Sequence, residues 1–272
     1  MHPNIPFDIW EAIFAAVGEP ATLARCALVS RSFWEATARS LYRNVRVAHI
    51  DRGREIRGNR AFAAIHAHPY LRAYVRTLTH EAMDVYRWAA HSKDKAYNDE
   101  AWADQPPWTT FLPLLPNLTT YTLTTDTHHI SDKLLHVVVA TLMQCPRLTD
   151  VRWMFIVHAG DLPVIMQLNM ITHLSLGQPD TGAFSSIGPW LKQMPCLRSF
   201  YVRDASRLLP DLISKVVGEE ILIRLVNLTL GGRPYLAPYQ LLTALNETPD
   251  LETLDVYYND SIREVRPSPA PR

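Results

Sequence analysis

The sequence predicts an α/β protein: three short helices, then an irregular solenoid in which a curved parallel sheet carries helices on its outer side. Three observations predict it. Up to about Val47, apolar residues recur at helical spacing. Beyond that, a short apolar unit (one residue, another three later, another two later) returns six times at nearly constant intervals. Stretches of helical pattern separate the copies, and proline often stands just before one.

The 272 residues suit one large domain or two smaller ones. With 47% hydrophobic and 20% charged residues, the chain has the makings of a core and is not disordered as a whole. Lys+Arg and Asp+Glu each number 27, so the formal net charge is +0. Such a chain has no long-range field to gather nucleic acid or an anionic membrane, and neither is expected as a partner. No apolar run approaches the ~18–20 residues of a membrane-spanning helix. The start, Met1-His2-Pro3-Asn4-Ile5-Pro6, lacks the basic opening and apolar stretch of a secretory signal. Cys26, Cys145 and Cys196 form no CxxC pair, which argues against a disulfide framework or a zinc site. A cytoplasmic or nuclear location is expected.

Pro6 suits the start of a first helix, whose residues Ile9, Trp10, Ile13, Phe14 and Val17 share a face. Gly18 and Pro20 end it. A second helix fits Ala21–Ala27, with Leu23 and Cys26 inward. Ser30 suits the N-cap of a third, with Phe33, Trp34, Thr37 and Leu41 as its apolar stripe. Three helices in about forty residues make a very small core, one that leans on a neighbour.

The repeated unit runs Leu118/Tyr121/Leu123, Leu148/Val151/Trp153, Ile171/Leu174/Leu176, Leu197/Phe200/Val202, Leu225/Leu228/Leu230 and Leu251/Leu254/Val256. Val75/Leu78 is a weaker, earlier copy. Its first positions (118, 148, 171, 197, 225, 251) step by about 30, 23, 26, 28 and 26 residues, around the range of leucine-rich repeats. Pro116, Pro146, Pro195 and Pro249 each precede a copy by two residues. Helical pattern fills Ser131–Gln144, Ala183–Met194 and Pro238–Asn246. One strand-and-helix unit cannot bury both its faces; stacking copies builds a continuous core. The position where such repeats often place Asn holds Asp126, Ile156, Pro179, Ala205, Arg233 and Asn259, so irregular turns are expected. A polar insert near 84–110 interrupts the early copies, and the Pro- and Ser-rich tail 263–272 reads as disordered.

The segment Ile5-Pro6-Phe7-Asp8-Ile9-Trp10-Glu11-Ala12-Ile13-Phe14 resembles the opening of an F-box, and Leu23–Trp34 resembles its second half. Ala38, Leu41, Tyr42 and Arg43 continue a style seen in many fungal F-box proteins. Ile5 stands where the family usually has Leu, and Phe33 where it often has Trp. The whole chain resembles an F-box protein with irregular leucine-rich repeats: the F-box over 1–45, the repeat domain over 46–262, then the tail. The resemblance implies a non-catalytic subunit of a ubiquitin ligase complex. Its F-box docks a Skp-type adaptor, which links to cullin and RING subunits, and its repeats hold an unknown protein substrate. Such a subunit raises the effective concentration of substrate lysines near the charged enzyme. The alternative is a leucine-rich-repeat interaction scaffold with no ligase role.

Candidate adaptor-binding residues are Ile5, Pro6, Ile9, Ile13, Phe14, Val29 and Phe33. Either a partner helix completes this apolar set, or the residues pack the three helices together. Strand alternation turns a second set outward: Thr122 and Thr124, Arg152 and Met154, Ser175 and Gly177, Tyr201 and Arg203, Thr229 and Gly231, Asp255 and Tyr257. Arg152, Tyr201, Arg203 and Tyr257 are the substrate-binding candidates, because Arg and Tyr are enriched in hot spots; the alternative is a solvated sheet face. Trp88, Tyr97, Trp102 and Trp108 in the insert either grip a substrate or pin the loop. His66/His68 and His128/His129 lack the further ligands a metal needs, so no cofactor or metal is expected. The cysteines read as inert thiols. The sequons at Asn117 and Asn227 coincide with strand starts and are set aside. No GxSxG, HExxH, P-loop or GxGxxG occurs, and nothing in the sequence proposes an enzyme.

Overall fold

The computed structural model describes residues 5–49, 59–82, 109–125, 130, 132–204, 225–231 and 250–256. Tyr257, the tail, the helical stretch Pro238–Asn246, His128/His129 and nearly all of the 84–110 insert, with Trp88, Tyr97, Trp102 and Trp108, lie outside them.

Three helices open the chain: α1 (Phe7–Ala16), α2 (Pro20–Ala27) and α3 (Arg31–Leu41). Pro6 and Pro20 stand at helix starts, where a missing N–H costs nothing. Ser30 caps α3, its Oγ accepting from the Phe33 N–H at 3.2 Å. The Thr37 hydroxyl, wholly buried, donates back to the Phe33 carbonyl at 2.6 Å. Phe14, Leu23 and Ala36 form the buried centre of this unit, with Trp10, Val17, Cys26, Phe33 and Leu41 packed around it. The Phe14 and Phe33 rings meet edge to face at 5.4 Å, and Trp10 lies 4.6 Å from Phe33.

The expectation that helix continues to about Val47 is corrected. Residues Asn44–His49 form a strand, β1, because Val45 and Val47 alternate and pair in register with Leu78 and His80 of β2 (Thr77–Ala82). The boundary at residue 45 therefore falls inside the first strand. Six more strands follow among the described residues: β3 (Thr120–Thr125), β4 (Asp150–Val157), β5 (His173–Pro179), β6 (Ser199–Val202), β7 (Asn227–Leu230) and β8 (Thr253–Val256). They form one open parallel sheet, each strand beside the one before it in the chain. This is an α/β architecture compatible with a solenoid. Parallel neighbours need crossover connections, and helices supply several: α4 (Asn59–Ala67), α5 (Asp132–Leu142), the single turn α6 (Leu162–Ile165) and α7 (Thr181–Leu191). The step from Ile171 back to Leu148 is the shortest in the series, and it leaves room for α6 alone. Two 3₁₀ turns, Pro69–Tyr74 and Thr109–Leu114, lead toward β2 and β3.

One sheet face is apolar and covered. Tyr121, Leu123, Val151, Trp153, Leu174 and Leu176 are buried in one cluster with Leu135, Val138 and Leu142 of α5 and Ile187 and Trp190 of α7. The Trp190 indole N–H donates to the Leu162 carbonyl at 3.0 Å, tying α7 to α6. The same cluster reaches into α3 through Ala38 and Tyr42, with Trp34 and Leu41 against it. Leu41 touches both cores, so α3 is shared between the helical unit and the sheet. Arg39 adds a surface tie: its guanidinium lies 2.8 Å from Glu11 and 5.8 Å from the Tyr74 ring.

Candidate functional site

The helical unit leaves Ile5, Phe7, Ile9, Ile13, Leu28 and Val29 exposed around a small buried centre. Ile9 and Ile13, one turn apart on α1, are 46% and 43% exposed. Ile5, Pro6 and Phe7 precede them in the open, and Leu28 and Val29, between α2 and α3, stand at 88% and 69%. Among the seven candidates for adaptor contact, two differ. Phe14 is 3% exposed and belongs to the small core, and Phe33 packs beside it, half-buried. Their removal from the surface has a simple cause: the aromatic side chains are the largest available to fill a three-helix centre otherwise made of Leu23 and Ala36. Phe7 and Leu28 are large exposed apolar residues absent from the candidate set. Leu28 follows the last residue of α2, where helical periodicity gives no direction.

The second surface is the sheet face that no described helix covers. The register places Asp150, His173, Ser199 and Asn227 in one row across β4 to β7, and Arg152, Ser175, Tyr201 and Thr229 in the next. Three of the four substrate-binding candidates therefore lie on one continuous face. They line an open trough of about 550 Å³ together with Met154, His173 and Asn227. Asp150 holds Arg152 flat against the face: Nη2 lies 2.6 Å from Oδ2, and Nε 3.2 Å from Oδ1. That side-chain hydrogen bond raises the Arg152 pKa against its partial burial, with the Asp150 charge adding to it. The Asn227 amide donates to Ser199 Oγ at 3.0 Å. Toward β1 the face changes character to Thr77, Thr79, Thr120 and Thr122, bordered by an Arg46–Glu81 ion pair.

Two expected outward positions are corrected. Gly177 and Gly231 are buried. A Cβ at Gly177 would lie 2.8 Å from the Phe155 nitrogen, and one at Gly231 2.3 Å from the Arg203 oxygen. At Gly177 the alternation slips because β4 shifts register between Trp153 and Ile156.

Beyond the trough, His158 and Asp180 join the ends of β4 and β5. His158 Nδ1 lies 2.7 Å from Asp180 Oδ2, and the Ala183 N–H donates to Asp180 Oδ1 at 2.6 Å. Partial burial pushes the Asp180 carboxyl up, but the Ala183 N–H and His158 outweigh it and hold the carboxyl below the ordinary range. His66 stacks 6.4 Å from the Phe111 ring, and His68 lies 5.9 Å from Tyr70. Among the described residues no three metal-ligating side chains stand together. Cys145 is buried, and burial pushes its thiol up to about 11, against nucleophilic use. No helix among the described residues is long and apolar enough to cross a membrane.

No family model and no curated protein matches this chain. The two surfaces are therefore read from their own chemistry.

Proposed function

We propose that the chain is a substrate-receptor subunit of a Skp–cullin–F-box ubiquitin ligase, docking its adaptor through the three helices and holding a protein substrate on the open face of a leucine-rich-repeat sheet. One observation carries the reading. Ile9, Ile13, Leu28 and Val29 are exposed on a unit whose buried centre, among the described residues, is Phe14, Leu23 and Ala36. Fully burying such side chains stabilises by roughly 1.5–3 kcal/mol each, so leaving them in water is justified by a partner that covers them. The partner is an apolar helix face of the kind a Skp-type adaptor offers. The quoted F-box residues and the sequential parallel strands support the same reading.

On this reading the chain breaks and forms no bond. The repeat sheet fixes a bound substrate relative to the adaptor, and the ligase supplies the chemistry. The sharing of α3 between the two cores supports a stiff link between docking unit and substrate face.

The test is capture of the full chain by a purified Skp-type adaptor. Ile9→Asp with Ile13→Asp abolishes capture, because both side chains are exposed and the fold survives the change. Arg152→Gln with Tyr201→Phe leaves it intact. Absence of capture by the unaltered chain, with partner binding on the sheet face retained, favours the scaffold reading.

A further inference from the structure

We propose that the trough on the sheet face binds an extended peptide carrying one carboxylate, with Arg203 as the cation that receives it. The inference rests on the reading that this face binds a partner, and it deepens that reading by naming the partner's chemistry.

The trough contains two guanidinium groups of unequal availability. Arg152 is already held by Asp150 through both Nε and Nη2, so its charge is matched. Arg203 is exposed, and among the described residues no carboxylate pairs with it. The next residue, Asp204, accepts from Gln178 at 3.2 Å. Asp255, the acidic residue of the Thr229 row, stands on β8, two strands from β6. Among the described residues that line the trough, formal charge is therefore one cation in excess.

The backbone around Arg203 leaves that cation open to approach. The Arg203 N–H donates to the Leu176 carbonyl and the Asp204 N–H to Gly177, while the Gly231 N–H donates to Val202. A glycine thus flanks Arg203 on each neighbouring strand. Neither position admits a side chain, since a Cβ would meet backbone at 2.8 Å or less. Neither flanking strand position therefore places a side chain beside the guanidinium, and its planar fork suits a carboxylate.

The remainder of the trough suits a peptide backbone. Ser175, between the taller Arg152 and Tyr201, and Ser199, between His173 and Asn227, form low hydroxyl-bearing positions in the trough. Met154 offers an adaptable apolar contact. A single unmatched cation fits a monoanion; a phosphate carries about −1.5 to −2 and calls for more positive charge than Arg203 alone supplies.

The experiment selects peptides from a random decapeptide display library against the full chain, in one format with a free C-terminus and one with it blocked. Recovered peptides are expected to share Asp or Glu at one position, or to require the free terminus; the two formats separate these sources. In fluorescence anisotropy, changing that acid to its amide weakens binding to the wild-type chain at least tenfold. The same change alters binding to Arg203→Gln less than twofold, while Arg203→Lys restores part of the affinity. Recovery of no peptide, of peptides without a carboxylate, or of peptides that bind Arg203→Gln equally well overturns the proposal. So does tenfold tighter binding when phosphoserine replaces the acid. Adaptor capture by Arg203→Gln is measured in parallel, so failure of the trough and failure of helix docking are distinguished.

Discussion

Ile13 and Phe14 are neighbours of the same apolar class with opposite fates. Phe14 fills the helical core, so Phe14→Ala should cost about 3–5 kcal/mol. Ile13→Asp, at a half-exposed site in the last turn of α1, should cost far less, about 1 kcal/mol. Denaturant unfolding of both variants checks the contrast, and a large loss for Ile13→Asp would place that side chain in a core. The sequence could not sort the two. Five apolar residues at helical spacing span a wider arc than a centre of this size can bury, and periodicity marks the arc rather than its edge. A second contrast concerns Tyr121. Its hydroxyl is fully buried and, among the described residues, has no hydrogen-bond partner; burial pushes its pKa well above the usual phenol value. Tyr121→Phe removes an unsatisfied group while keeping the ring against Trp153, and should raise stability by up to about 1 kcal/mol. A loss of stability in thermal unfolding would contradict this.

At the level of elements, the spacing of apolar triads located strands β3 to β8, since a period that fixes three buried positions per copy fixes the strand between them. It failed at β1, where Val45 and Val47 give two inward positions directly after a helix. It undervalued β2 because His80 occupies the third buried position, where the later copies place an apolar residue. It missed the slip at Gly177, since a bulge depends on which backbone groups meet and leaves no periodic trace. The Asp180 cap was also unmarked: Asp180 follows Pro179, which reads as a turn rather than a helix start. Asp180→Ala should cost about 1 kcal/mol by orphaning the Ala183 N–H. Because the folded carboxyl is held below its unfolded value, its contribution is complete above about pH 4 and fades as pH falls through the lower folded value. Unfolding of wild type and Asp180→Ala across this range should therefore converge at the acid end. A difference that persists unchanged would contradict the assignment.

Across the molecule, the decisive feature is the sharing of α3. Phe33 faces the helical core, while Ala38 and Tyr42 belong to the core that runs under the sheet. A boundary drawn from the sequence at residue 45 treats these as separable. Deleting residues 1–45 would strip Ala38, Tyr42 and Val45 from the end of the sheet core, so the truncated chain should lose solubility and melt at a lower temperature. The change from a helical unit to a strand-bearing part was legible in outline because helical spacing and the triad repeat are different textures. The seam was not, because one helix contributes to both and its stripe does not say which neighbour each residue meets. The open sheet face was legible for Arg152, Tyr201 and Arg203 from alternation alone. The Asp150 clamp that sets Arg152 apart from Arg203 was not, because it depends on how two side chains on one strand lie.

On the proposed function, the exposed apolar residues of the helical unit meet an adaptor while the sheet face stays free for a substrate. Hydrogen exchange of the full chain, alone and with a purified Skp-type adaptor, tests it most directly. The account predicts a one-to-one complex with slowed exchange over α1 and the Leu28–Ser30 turn, and unchanged exchange in β4 to β7. Failure to form a complex, or protection that falls on the sheet strands instead of the helices, would contradict it.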